Sequence, residues 1–429
     1  MALTSLFTAV SGMNANSTAL SVISDNVANM NTTGFKASRA AFGDILSQQI
    51  GDSQVGRGVL LTDVAQQFTQ GTFENTANVL DMAVDGNGLF VMKDPSGTYY
   101  TRAGQFTVDK EGYVVNPSGI KLQGYLYSAT GTLTSVLGDI NVSSVNSAPN
   151  STQNVTISAN IDSGSTIPAA FDVTDPNNTS NFSTSLVAYD SLGNGHNFNV
   201  YLRKDVEAAT GNSWEWFAVV DAADSASGNT EIQAQGTLGF TNNGFLDTES
   251  AITYTLASGG FDFNGGAAAG QVIDFDFGTS ITTDSGSGRD GTTQYSGASA
   301  TTFQTQDGYS SGSLKSITLS QDGTMTGIFT NGQTRGLAQL ALAKFISPTG
   351  LTKMGRGLYA ESTESGQPVI STPQSSGTGA VLSNTLELSN VDLAEEFVKM
   401  ILSQRGFQAN SRVISTSDEL MQELVNLKR

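Results

Sequence analysis

Asn-Val-Leu-Asp-Met-Ala-Val (78–84) runs into Asp85-Gly86-Asn87-Gly88, and Leu-Phe-Val-Met-Lys (89–93) runs into Asp94-Pro95-Ser96-Gly97. Thr-Tyr-Tyr-Thr-Arg (98–102), Gln-Phe-Thr-Val (105–108) and Tyr-Val-Val (113–115) follow, each closed by a glycine-bearing turn. Short β-branched and aromatic runs between turns that need positive φ read as β-hairpins. Residues 151–330 repeat the theme with Asn-Phe-Asn-Val-Tyr-Leu (197–202) and Trp-Glu-Trp-Phe-Ala-Val-Val (214–220). Leu337 to Phe345 returns to strand, after a Ser-, Gly- and Thr-rich loop from Thr283 to Gly297. The interior of the chain is therefore β.

Outside this region the period changes. Leu3, Leu6, Val10, Met13, Ser17, Leu20, Ser24 and Val27 recur at alternating steps of three and four, one face of a helix. Leu393, Phe397, Met400, Gln404, Phe407, Ser411, Ile414, Asp418, Met421 and Val425 do the same at the other end. Asp392 suits the N-cap of that second helix, Glu395 and Glu396 its positive dipole end, and Lys428 and Arg429 its other end. The 3–4 step favours helix-on-helix packing, and neither stripe is apolar enough for a stable isolated helix. Two arrangements remain open: the ends order by packing on each other and on neighbouring copies, or they form a helical hairpin docked on their own domain.

The expected organisation is thus nested. Residues 1–28 plus 390–429 form a coiled-coil-like helical inner domain, and 29–75 a linker layer. Residues 76–150 plus 331–389 form a β domain, and 151–330 an acidic outer β insertion. Within the linker, Phe42, Ile45, Leu46 and Ile50 suggest a short helix and Val59, Leu61 and Val64 an extended segment. Gly34 breaks the first helix, with Lys36 and Arg39 on a polar face.

At 429 residues the chain has room for about three domains. The 39 acidic against 20 basic residues give −19, of which −15 falls in 151–330; residues 1–24 carry no charge. Such a chain repels nucleic acid and anionic lipid. It has no cysteine and one histidine, which excludes disulfides, thiolate chemistry and multi-histidine metal sites within the chain. Hydrophobic residues are only 38%, and no apolar run approaches the about 18 residues of a membrane span. No cleaved signal is expected, because the N-terminus lacks a basic region before its interrupted apolar residues.

Catalytic patterns are weak. His196 reads as part of a hairpin turn, and no Gly-x-Ser-x-Gly elbow accompanies it. Asp274 and Asp276 alternate with Ile273, Phe275 and Phe277, the polar face of a strand rather than a glycosidase pair. Asp284 to Gly291 matches no full calcium loop and reads as solvated. Asp85 to Gly88 lacks the Lys-Ser/Thr ending of a phosphate loop. No enzyme activity and no cofactor are expected.

Two stretches are specific. Ser24-Asp25-Asn26-Val27-Ala28-Asn29-Met30-Asn31-Thr32-Thr33-Gly34-Phe35-Lys36 resembles the N-terminal signature of the flagellar rod, hook and hook-associated axial proteins. Ser389-Asn390-Val391-Asp392-Leu393-Ala394-Glu395-Glu396-Phe397, with Gln404-Arg405 and Gln408-Ala409-Asn410, resembles that family's C-terminal signature. Asp81 to Tyr125, with Tyr100-Thr101-Arg102-Ala103-Gly104 and Leu122-Gln123-Gly124-Tyr125, looks like the shared β domain of its hook and distal rod members. The acidic insertion, with Tyr189-Asp190-Ser191-Leu192-Gly193-Asn194, favours the hook members over the shorter rod ones. The resemblance implies a helical homopolymer, a curved hollow tube that couples rod to filament and transmits torque as a universal joint. Its implied partners are further copies, the distal rod protein, the hook-filament junction protein, the hook cap and the flagellar type III export apparatus. The expected location is extracellular. Rod or junction membership and, outside the family, a β-rich surface adhesin are the competing readings.

Overall fold

The computed structural model describes residues 2–45, 49–50, 53–54, 57–128, 131–143, 146–208 and 211–426; at Leu3 and Val425 it describes the backbone alone. Leu46, Lys428 and Arg429, singled out above, lie outside the described residues. The chain divides into two compact units. The first comprises 1–145, 314–328 and 334–429, and the second 146–313 and 329–333.

In the first unit, a helix over Ala2–Ala28 leads into an antiparallel pair, Ser38–Asp44 with Val59–Gln66. Phe42 sits in the first of these strands opposite Leu61, and Gln49–Ile50 is also strand, so among the described residues the expected short helix is not formed. The spacing is helical, but pairing with Val59–Gln66 overrides it. The β body is organised around Lys121–Tyr127, which pairs antiparallel with Leu89–Asp94, Leu133–Asp139 and Thr334–Leu340. Leu89–Asp94 and Gly97–Thr101 form the expected hairpin, with Asp94 Oδ1 accepting from Ser96 N and Gly97 N in the turn. The segment 85–88 is not a hairpin turn. Met82–Asp85 pairs instead with Ala380–Ser383, and Phe73–Asn75 with Thr385–Glu387. The returning C-terminal strands thus close the out-and-back path. Leu89, Val91, Tyr100, Phe345 and Tyr359 form a core, with the Tyr100 and Phe345 rings edge to face at 4.8 Å.

The second unit pairs a sheet with a smaller one. Phe182–Tyr189, Gly195–Ala208, Gly211–Val220, Glu231–Phe240 and Leu246–Glu249 follow one another antiparallel. Asn154–Asn160 lies between Asp274–Asp276 and Ala300–Gln306 in the other. Strand alternation drives Trp214, Trp216, Ala218 and Val220 inward, where they meet Phe198, Phe261, Phe275 and Phe277. Asp274 and Asp276 flank buried Phe275 and face out, as alternation requires. Residues 314–328 fall in the first unit, and 329–333 fall in the second. The hairpin Leu314–Leu319 and Thr324–Phe329 extends the first unit's sheet through Thr334–Leu340, a long-range pairing that charge composition does not reveal.

Candidate assembly site

The N-terminal helix packs antiparallel against a helix over Leu393–Asn426. Ser5 Oγ lies 3.4 Å from Ser417 Oγ, and Asn26 Nδ2 donates to Glu396 Oε2 at 3.1 Å. Between them Gly12 faces Asn410 and Gly406 faces Asn16; an added Cβ would stand 2.8 Å and 2.7 Å from those amides. From Ser5 to Gly12, Asn16 and Asn26, one helix advances by the same steps as its partner retreats from Ser417 to Asn410, Gly406 and Glu396. With Ala9 and Ile23 buried, this seam is small or polar nearly throughout. Small side chains admit close backbone approach, and hydrogen bonds at Ser5 and Asn26 cross it near its two ends.

The seam lies one residue before the apolar stripes on both helices, a rotation of about 100°. The apolar stripes therefore flank the seam rather than form its centre. Phe397, Phe407 and Met421 are exposed, and Leu6, Val10, Met13, Leu20, Val27, Leu393, Met400 and Ile414 are partly so. Phe7, Val398, Ile401 and Leu402, which stripe counting omits, are each at least half exposed. Asp392 Oδ1 accepts from Ala394 N and Glu395 N, capping the second helix.

Where the helices enter the β body, the signature residues converge. The Asn26 amide bonds both backbone groups of Ser38 at 2.8 Å. Asn390 Oδ1 accepts from Ala37 N, and its Nδ2 donates to Gln67 O and Thr69 Oγ1. Gly34 takes φ +67°, donates to Glu387 O, and leaves only 2.5 Å between a would-be Cβ and Ala103 N. Phe35 is buried with the Lys353 ammonium 5.0 Å from its ring. Asn29 folds back on Asp25, and Thr32 on Asn29, while Ala28 and Asn31 are exposed. Ser389 Oγ accepts from Val391 N at the return of the chain.

Lys36 is not on a polar face; only Arg39 is exposed. The Lys36 side chain is 1% exposed and pairs with Glu387 Oε1 at 2.6 Å. Arg102 Nε meets Glu387 Oε2 at 2.6 Å, and Gly71 N donates to Oε1 at 2.9 Å. Arg102 also donates to the carbonyls of Val84, Gly86 and Gly88. Burial, only partly offset by Glu387, lowers the Lys36 pKa. Burial opposes the Glu387 charge, but Arg102 and Lys36 outweigh it and hold that carboxyl below its ordinary value. Glu387 and the pairing role of Arg102 escape sequence reading. The available signal is the alternation Thr385-Leu386-Glu387, which puts a charge where a strand enters the core.

In the second unit, His196 lies within a strand, just after the turn between Phe182–Tyr189 and Gly195–Ala208. It is buried against Phe263, its Nε2 3.1 Å from Asp190 Oδ2 and its Nδ1 3.2 Å from Asp224 Oδ1. Asp190 is further tied to Leu192 N and Asn194 N, so the group braces a hairpin.

Four family descriptions match successive parts of the chain. They are the flagella basal body rod protein at 6–36, the flagellar hook protein FlgE/F/G D1 domain at 83–161, the flagellar basal body protein FlaE D2 domain at 160–309, and the flagellar basal body rod FlgEFG protein C-terminal region at 382–427. The flagellar hook protein FlgE of Borreliella burgdorferi is 33% identical, over 99% of both chains. That of Treponema pallidum is 34% identical over 99% of both, and that of Salmonella typhimurium 35% over 98% of this chain and 99% of its own. The chain belongs to the flagellar hook protein family. The family's terminal matches cover the helix pair and the junction at Gly34 to Lys36. The solved Helicobacter pylori flagellar hook protein FlgE2 aligns with 72% of this chain and 98% of its own, at 14% identity and a TM-score of 0.46. Among the described residues no helix is long and apolar enough to cross a membrane.

Proposed function

We propose that this chain is the structural subunit of the bacterial flagellar hook, polymerising helically through its terminal helices into a hollow, curved tube. The supporting observation is the exposed apolar surface on the helix pair. Phe7, Phe397, Val398, Ile401 and Leu402 surround a seam already closed by small residues. Fully burying each such side chain is worth about 1.5–3 kcal/mol, so covering several against neighbouring copies drives association. In the polymer the paired helices pack coiled-coil-like against those of other copies. Head-to-tail contacts of this kind propagate without closing. The β units form the outer layers and transmit torque between rod and filament, and no catalysis is assigned. The partners are the distal rod protein, the hook-filament junction protein and the hook cap. Export runs through the flagellar type III apparatus without a cleaved signal.

Immunogold electron microscopy of detached flagella, with antibody against residues 151–330, tests this. Gold along the short curved segment between rod and filament is expected. Gold on the straight rod, on a narrow junction band, or nowhere on the flagellum would overturn it.

A further inference from the structure

Beside the buried Lys36–Glu387–Arg102 group, a cleft of about 280 Å³ opens to solvent. Lys36 and Arg102 contribute to its wall, with Lys344, Phe68, Phe345 and Ile346. The volume falls just under the roughly 300–1,000 Å³ of small-molecule sites, which suits one inserted side chain better than a cofactor. Its charge is unbalanced: Glu387 supplies one carboxylate for two buried cations. Lys344 adds a third positive group with no ion pair among the described residues.

The donors are also incompletely used. An ammonium has three N–H groups and a guanidinium five. Lys36 spends two, on Glu387 and Thr69 O. Arg102 spends four, on Glu387 and the carbonyls of Val84, Gly86 and Gly88. One N–H on each is left without an acceptor among the described residues. At the rim Ile346 is 89% exposed, an apolar side chain held in water. A cationic cleft with an apolar lip fits a carboxylate carried on an aliphatic stem.

We propose that this cleft receives an aspartate or glutamate side chain from a second copy of the chain, as a polymer contact apart from the terminal helices. The argument rests on the polymer reading above. Charge complementarity names the occupant: residues 146–313 with 329–333 carry 18 acidic and 3 basic side chains, a dense source of carboxylates on every copy. Insertion lowers the excess positive charge from two to one and covers Ile346.

The test is polymerisation of the purified full-length protein, followed by light scattering and electron microscopy across a salt series. Lys344→Glu is expected to slow assembly at least tenfold with unchanged thermal unfolding. Lys344→Met slows it less, and Lys344→Arg leaves it near normal. The advantage of the unmodified chain over Lys344→Glu shrinks as salt rises. Assembly of Lys344→Glu at the normal rate overturns the contact and leaves the hook reading standing. Failure of the unmodified chain to polymerise overturns both. Titration of the unassembled protein with sodium acetate and with inorganic phosphate separates the sources. Weak millimolar binding fits a site completed by a neighbouring copy, and tight binding of either ion shows a free-anion site and overturns the proposal.

Discussion

Replacing Glu387 by Gln tests whether the junction depends on a buried charge. The Glu387 side chain is fully buried, and those of Lys36 and Arg102 are 1% and 6% exposed. Gln keeps the shape and one acceptor oxygen but leaves two nearly buried cations without their counter-charge. Breaking a buried pair in this way costs about 3–5 kcal/mol. With a urea slope of about 2.5–3 kcal/mol per molar, the midpoint of the first unit falls by about 1–2 M. The chain carries its own control. Both long helices belong to the first unit, so far-UV circular dichroism at the helix band reports it, whereas Trp214 and Trp216, the protein's two tryptophans, belong to the second. The expected result is a large shift in the helix transition with the tryptophan transition unmoved. Glu387 is held below its ordinary value, so its contribution is complete above the unfolded pKa and is lost as pH falls through the folded one. The Gln variant lacks that acid-side loss. A helix midpoint within about 0.3 M of the parent, or equal shifts of both transitions, would refute the reasoning.

Glu249 makes the opposite pH prediction. Burial, then Asp284 and Asp276, push its carboxyl from 4.5 up to about 7, and its Oε1 has no hydrogen-bond partner among the described residues. Stability of the second unit therefore falls as pH rises from the unfolded value through about 7. Partial exposure holds the effect to roughly 1–2 kcal/mol; Glu249→Gln should flatten the tryptophan-monitored melts between acid and alkaline buffer. Gly34→Ala combines a positive φ with a backbone clash at Ala103 and should cost about 2–4 kcal/mol in the helix-band urea midpoint. The double change Phe397→Ser and Ile401→Ser removes exposed apolar surface, so monomer melts should stay within about 0.5 kcal/mol while polymerisation is lost; normal tubes would contradict the assembly reading.

Local patterns settled a good deal. Alternation over 89–101 specified a hairpin, because strand period and the Asp94–Gly97 turn are encoded in adjacent residues. The periodicity of both ends specified helices, and the cap at Asp392 lies two and three residues from the amides it satisfies. The same reasoning failed wherever the partner was distant. Periodicity identifies an apolar face but not the face that meets the other helix. Here glycine, serine and asparagine form the seam because they allow close approach, and the apolar stripe is left outside. Lys36 looked solvated because its counter-charge, Glu387, lies 351 residues away in sequence. Phe42 looked helical until Leu61 supplied a strand partner. Sequence determined the type of each strongly periodic element and the chain's membership in its family. Tertiary structure decided which surfaces meet, because burial of a charge and choice of a seam depend on neighbours that only the folded chain brings together.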